Sequence, residues 1–327
     1  MTTVTSALAP VIVAYLALKR ALGRRYDGER RVLEHLDRFL CACGDDLTPD
    51  TFARWCLTQQ HLASGVRRHR MRVVRNFCLY RRRREPACFV PDERLFPPLH
   101  QPLRPYLFTE ADVRRLLELA DALPPTLGSP LRAETFRLAI VLLYTTGLRR
   151  GELVRLTVGD YDPQERTVQI RASKFHKSRV VPLSTDGAQA IHRYLLARRR
   201  HRVPVSPETP LLWNRARRGN PYSGGGFGQG MRALFRLASL RSDAGRLPRV
   251  HDFRHVFAVH ALLRWYRAGA DVHSKLPLLA TYMGHVSIVS TEHYLHFLQP
   301  LAAAASARFA EHYGALVTTS PTVGGAR

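Results

Sequence analysis

Four short stretches of this 327-residue chain concentrate side chains that can hold an anion and move a proton. Thr146-Gly147-Leu148-Arg149-Arg150-Gly151-Glu152-Leu153 sets arginines and a glutamate where a glycine ends one helix and another begins. Ser173-Lys174-Phe175-His176-Lys177-Ser178-Arg179 gathers two of the chain's four lysines at a hairpin tip. His251-Asp252-Phe253-Arg254-His255 puts two histidines around an arginine, and Met283-Gly284-His285 is followed nine residues later by Tyr294. Taken singly, each has an ordinary explanation: a lone arginine is usually on the surface, and a basic turn is usually solvated. Together they supply guanidinium forks for oxyanions, imidazoles for proton transfer and a phenol able to form a covalent intermediate. A metal site is the competing chemistry, since histidines at i and i+4 can share an ion. Against it, a zinc hydrolase would need glutamate beside the first histidine, whereas Asp252 stands there and Arg254 would repel a cation. His293 and His296 flank Tyr294 with no carboxylate cluster, and Asp160, Asp162 and Glu165 suit a solvated turn. The sequence implies no metal and no cofactor.

Composition says what these groups act on. Fifty basic residues against 26 acidic ones give a net charge of +24 and a pI near 10.9. That excess points to a polyanion, above all nucleic acid. Lysine occurs only at 19, 174, 177 and 275, so the charge is arginine, which grips phosphate with two parallel N–H bonds. A hydrophobic fraction of 45% is enough for sizeable cores, and the length suggests two domains at roughly 150 residues each. All five cysteines fall in the first 88 residues. Their odd number and spacing argue against a disulfide framework and for buried thiols. The apolar run Ala7–Leu18 contains Pro10 and is too short to span a bilayer, so a cytoplasmic protein is expected.

Residues 1–85 read as helices, with Thr48-Pro49-Asp50 as a cap. The last of them, Val66–Tyr80, carries Arg67, Arg68, Arg70, Arg72 and Arg75, and Arg81–Arg84 follow, nine arginines in 18 residues. Such density around one apolar stripe fits a helix laid along phosphates, so residues 1–85 are predicted to be a DNA-binding domain. A proline-rich linker spans 86–107, the larger domain 108–313, and a flexible tail 314–327. The larger domain opens at Thr109 as a cap with Asp112 three residues on. Thr167–Ile170 and Val180–Leu183 form a strand pair, Pro204–Gly230 is loop-rich with Gly224-Gly225-Gly226, and helices fill the rest. The predicted fold class is mainly α with a small antiparallel β-sheet.

In this order, the four stretches resemble the tyrosine recombinase (phage integrase) family. Its pattern is G-L-R-x-x-E-L, a hairpin lysine, H-x-x-R-H, then G-H and a tyrosine nine residues on. The resemblance covers the larger domain; the first 85 residues resemble the family's core-binding domain in pattern only. It implies that Tyr294 attacks a DNA phosphate, leaving a 3′-phosphotyrosine and a free 5′-hydroxyl, with no ATP needed to rejoin. Tyr282 is the nearest rival, but it precedes His285 instead of following it. Arg149 and Arg254 match the two arginines that fork the phosphate oxygens. His251 matches the position that assists proton removal from Tyr294, and His285 the one that donates to the phosphate. Lys174 matches the lysine that protonates the departing 5′-oxygen, with Lys177 as a rival and Ser173 and Phe175 where the family has glycines. Glu152 would buttress Arg149, His255 would pack beside the site, and Lys177 and Arg179 would contact DNA along with the arginines of the first domain.

The partners implied are double-stranded DNA recombination sites and further copies of the chain, as a tetramer on paired sites. Leu301–Leu316 would be a helix docking on a neighbour, and the protein would sit in the nucleoid. A DNA-binding regulator without activity is the alternative, disfavoured because all six catalytic residue types are present. A type IB topoisomerase shares the chemistry but needs no partner protomer. Integration, transposition and chromosome-dimer resolution all stay open, with a mobile element favoured by the divergent first domain.

Overall fold

The computed structural model describes residues 5–24, 26–98, 104–171, 178–214, 220–285 and 291. The chain divides into two compact units, Met1–Leu103 and Arg104–Arg327.

The first unit contains α1 (Ala9–Ala21), α2 (Asp27–Cys43), α3 (Pro49–Leu57) and α4 (Ser64–Arg81). Helix α3 starts where the cap lies: the Thr48 side chain accepts from the Thr51 N–H, and Pro49 fills a first-turn position with no donor to lose. Tyr15, Leu33, Leu36, Trp55, Val74 and Phe77 close the core between the four helices. Each contributes about 1.5–3 kcal/mol by leaving water. All five cysteines are free thiols, but only Cys78 is buried; Cys41 is exposed and the others half-buried, which corrects the expectation of buried thiols.

Residues 86–98 differ from an extended linker. Phe89 and Val90 pack against the first unit and Phe96 is buried in its core. Prolines cannot donate, but their carbonyls accept. Arg75 Nη1 donates to Pro91 O at 2.7 Å and Arg68 Nη1 to Pro97 O at 2.9 Å. The apolar residues between the prolines give the segment something to bury, so it is a strap along α4.

The second unit holds α5 (Glu110–Asp121), α6 (Arg132–Thr146), α7 (Arg150–Arg155), β1 (Tyr161–Asp162), β2 (Thr167–Ile170) and β3 (Arg179–Pro182). It continues with α8 (Thr185–Arg200), α9 (Gly224–Leu237), α10 (Asp252–Arg267) and α11 (Val272–Met283). Helix α5 begins with the expected reciprocal cap between Thr109 and Asp112. Helix α6 is apolar on nearly every side because α5, α8 and α10 all pack on it. The sheet order is β1-β2-β3, antiparallel throughout, with Val168 opposite Val181 and Ile170 opposite Arg179. Ala258 and Leu262 of α10 meet Leu276 and Leu279 of α11 in a smaller cluster that carries the end of α11 toward α10. The mainly α fold with a small antiparallel sheet is therefore the observed one.

One loop expectation is overturned. Gly224-Gly225-Gly226 form the first turn of α9, with the Ser223 hydroxyl accepting from the Gly226 N–H at 3.0 Å. Glycine weakens a helix, but here the cap starts it, and Phe227, Met231 and Leu234, all buried at helical spacing, hold it down.

Candidate active site

The site is built on the carboxyl end of α11. A helix leaves its last carbonyls without intrahelical partners, and its aligned peptide dipoles put partial negative charge there. Three consecutive carbonyls each take a guanidinium. Tyr282 O accepts from Arg179 Nε at 2.7 Å, Met283 O from Arg254 Nη2 at 2.5 Å, and Gly284 O from Arg149 Nη2 at 2.9 Å. The three arginines come from the start of β3, the first turn of α10 and the residue before α7.

Two glycines let the backbone come this close. Gly284 ends α11 in the left-handed region at φ 66°, and a Cβ there would lie 2.9 Å from Arg179 Nη1. Gly147 ends α6 at φ 61°, its carbonyl accepts from Arg254 Nη1 at 2.8 Å, and a Cβ would meet Phe257 Cδ1 at 2.6 Å.

Glu152 ties two of the arginines together. Its buried carboxylate accepts from Arg149 Nη1 at 2.8 Å, and Arg179 Nη1 and Nη2 reach its two oxygens at 3.1 and 2.9 Å. Burial by itself would raise the carboxyl, but the Arg179 bonds, the Arg149 N–H, the charge of Arg179 and the Arg149 side-chain bond outweigh it and hold Glu152 at about 2. Three guanidiniums at this helix end, two of them on one carboxylate, leave the cluster positive, the charge an oxyanion needs.

His285 sits beside Arg254, with Nε2 2.9 Å from Arg254 Nη2 and Nδ1 2.8 Å from Thr291 Oγ1. A guanidinium only donates, so Nε2 accepts and Nδ1 carries the proton toward Thr291. Burial, reinforced by Arg254, Arg149 and Arg179, pulls His285 down to about 4. It is neutral at pH 7. Thr291 is fully buried and escaped sequence reasoning. Its only signal was position, six residues after His285 and three before Tyr294. His251 stands just before α10; its ring reaches solvent, yet the protein around it and the charges of Arg254 and Arg249 hold it below the usual imidazole value. His255 meets His251 edge-on, ring centroids 5.0 Å apart, while Asp252 is engaged with Arg249 at 2.8 Å. The structure thus brings Arg149, Glu152, His251, Arg254, His255 and His285 to one region. Lys174, Lys177, Tyr294 and the segment 301–316 lie outside the described residues.

The phage integrase family profile matches residues 107–299. The protein y4rB of Sinorhizobium fredii, named an integrase/recombinase, is 32% identical over 293 residues, covering 89% of this chain and 93% of its own. The chain belongs to the phage integrase family. Tyrosine recombinase XerC of Pelotomaculum thermopropionicum is 30% identical over 243 residues, 73% of each chain. The Tn1549 transposon integrase, solved in complex with a circular intermediate DNA, has the same fold, with a TM-score of 0.59 at 19% identity over 87% of this chain and 94% of that one. The protein is a tyrosine recombinase, an enzyme that breaks and rejoins DNA strands.

Several expected residues of the recombinase take different places. Arg179, expected to contact DNA, is turned inward onto Glu152 and α11. Its side chain shares a strand face with Val181 and Leu183, both buried, and period-two alternation in the sequence carried that signal. In the first unit Arg68 and Arg75, expected along phosphates, bond the strap carbonyls and lie 3.9 Å from Glu93. Arg67 and Arg70 are half-buried, and Arg72 is exposed. Tyr282 stacks on Phe257 with centroids 5.2 Å apart, and burial pushes its hydroxyl up to about 12, so it is a poor source of phenolate. Among the described residues no helix is long and apolar enough to cross a membrane.

The depressed His285 gives a pH prediction. Unfolded imidazole titrates near about 6.5, so between that value and about 4 the unfolded chain binds the extra proton. His285 therefore contributes stability above about pH 6.5 that is lost as pH falls toward about 4. Histidine NMR is expected to show its midpoint near 4, and His285→Asn should lose less stability than the parent chain between pH 6.5 and 5. A midpoint at or above 6 would refute the assignment.

Proposed function

We propose that this recombinase is a site-specific integrase of a mobile element, acting through a 3′-phosphotyrosine intermediate without metal or ATP. One observation carries the reading: Arg149 and Arg254, held on adjacent carbonyls of α11 beside neutral His285, form a positive cluster matched to a phosphate. In the proposed reaction the Tyr294 oxygen attacks phosphorus and the bond to the 5′-oxygen breaks. His251 takes the tyrosine proton, and Lys174 gives one to the departing oxygen. Arg149 and Arg254 fork the non-bridging oxygens, where negative charge accumulates and fixed donors act most strongly. His285 donates to the phosphate as its Nε2–H tautomer, with Nδ1 then accepting from the Thr291 hydroxyl, once the phosphate draws Arg254 away from Nε2. One phosphate ester is exchanged for another, so the free 5′-hydroxyl can reverse the step with no energy source. Double-stranded recombination sites are the substrate, and four protomers on two duplexes are the assembly. Arg72 and Lys177 are proposed contacts to the duplex, joined by Arg67 and Arg70.

The mobile-element role is supported by the likeness to y4rB, named an integrase/recombinase, over 89% of this chain, and by the transposon-integrase fold. Its test is recombination between two plasmid copies of the DNA ends that flank the coding sequence. The expected result is recombinant product in EDTA and without ATP. A strict requirement for divalent metal would overturn the chemistry, and activity only on unrelated sites would overturn the role.

A further inference from the structure

We infer that Arg179 is a positioning residue for strand cleavage: by neutralising Glu152 it leaves the charge of Arg149 for the phosphate. The inference rests on the proposed role of Arg149 and gives Arg179 a task within the protein in place of the expected contact to DNA.

The Glu152 side chain is 1% exposed and its carboxylate is saturated. It accepts from the Arg149 backbone N–H at 3.0 Å, from Arg149 Nη1 at 2.8 Å, and from Arg179 Nη1 and Nη2 at 3.1 and 2.9 Å. Two cations share one anion, so the trio keeps one positive charge. Without Arg179, the only guanidinium on Glu152 among these contacts is Arg149, and the pair sums to zero. The vacated lone pairs would also draw Arg149 Nη2 from Gly284 O, because a buried carboxylate strongly resists being left short of donors.

Geometry fixes Arg179 in this task. Its Nε donates to Tyr282 O, its guanidinium lies over Gly284, where any side chain would collide with it, and it stands opposite buried Ile170 in the sheet. Arg179 thereby joins the β2–β3 pair to the helix end that holds Arg149 and Arg254 and leads into His285.

The charge argument makes a prediction that a purely structural role does not. On a nicked duplex built from the DNA ends that flank the coding sequence, single-turnover adduct formation by Arg179→Met is expected to fall by about tenfold or more. Gel-shift affinity should stay within about threefold, since an effect confined to the transition state leaves binding intact. Adding Glu152→Gln should then restore the rate several-fold, because glutamine cannot cancel Arg149. A double variant slower than Arg179→Met, or Arg179→Met within about twofold of the parent, overturns the inference. If Arg179→Met melts below the assay temperature, Arg179→Lys decides. Lysine keeps the charge beside Glu152 without the fork. A rate closer to the parent than to Arg149→Ala supports charge balance, and a rate closer to Arg149→Ala overturns it. Mapping the adduct keeps the two readings separate. Adduct on Tyr294 without an Arg179 effect sinks this inference alone, whereas adduct elsewhere sinks the proposed chemistry.

Discussion

Tyr294→Phe is expected to bind recombination-site DNA as the parent chain does and to form no covalent adduct on a nicked substrate. The change removes one oxygen, the proposed nucleophile, and keeps the ring. A phenol needs help to ionise at neutral pH, its free value being about 10, and in the proposed reaction the positive cluster would supply that help. Tyr282 cannot take over, since it is stacked on Phe257 with its hydroxyl pushed up to about 12. The readout is a detergent-resistant protein–DNA complex followed by peptide mapping. An adduct that persists in the variant, or maps to Tyr282, refutes the assignment.

The second large effect concerns the arginine pair. In the proposed reaction Arg149→Ala and Arg254→Ala each remove a donor to charge that develops in the transition state, a loss of about 3 kcal/mol or about a hundredfold in rate. Cleavage in single-turnover assays should fall by at least that much. The two variants should part in stability. Arg254 is 1% exposed and serves Gly147 O, Met283 O and His285 Nε2, so its loss strands buried acceptors at about 1–3 kcal/mol. Arg149 is more exposed, with Arg179 left on Glu152 in its absence. Thermal melts should therefore show Arg254→Ala well below Arg149→Ala. Cleavage within a few-fold of the parent by either variant would mean that arginine is misassigned, and equal melts would contradict the packing argument.

Features held in a few consecutive residues were legible without a fold. The caps at Thr48-Pro49 and Thr109-Asp112, the β2–β3 pairing and the glycine that ends α6 all rest on hydrogen bonds between near neighbours. The glycine run in α9 and the strap along α4 were misjudged because composition outvoted context. Glycines suggest a loop and prolines a tether, until Ser223 caps the one and Phe96 anchors the other in a core. Thr291 left no pattern at all, for a single buried hydroxyl has no periodicity.

The sequence by itself determined the inventory of the site: which guanidiniums, imidazoles and phenol are present, in what order, and on a chain of large positive charge. Which partner each guanidinium takes was decided only by tertiary structure. Arg149, Arg179 and Arg254 are chemically alike, and each can serve a phosphate, a carboxylate or a carbonyl equally well. What separates them is what the fold brings to within about 3 Å. Arg149 meets a carbonyl 135 residues away and Arg179 one 103 residues away. No local pattern encodes a meeting across that span, because it depends on α10 and α11 packing so that three carbonyls at one helix end face three separate segments.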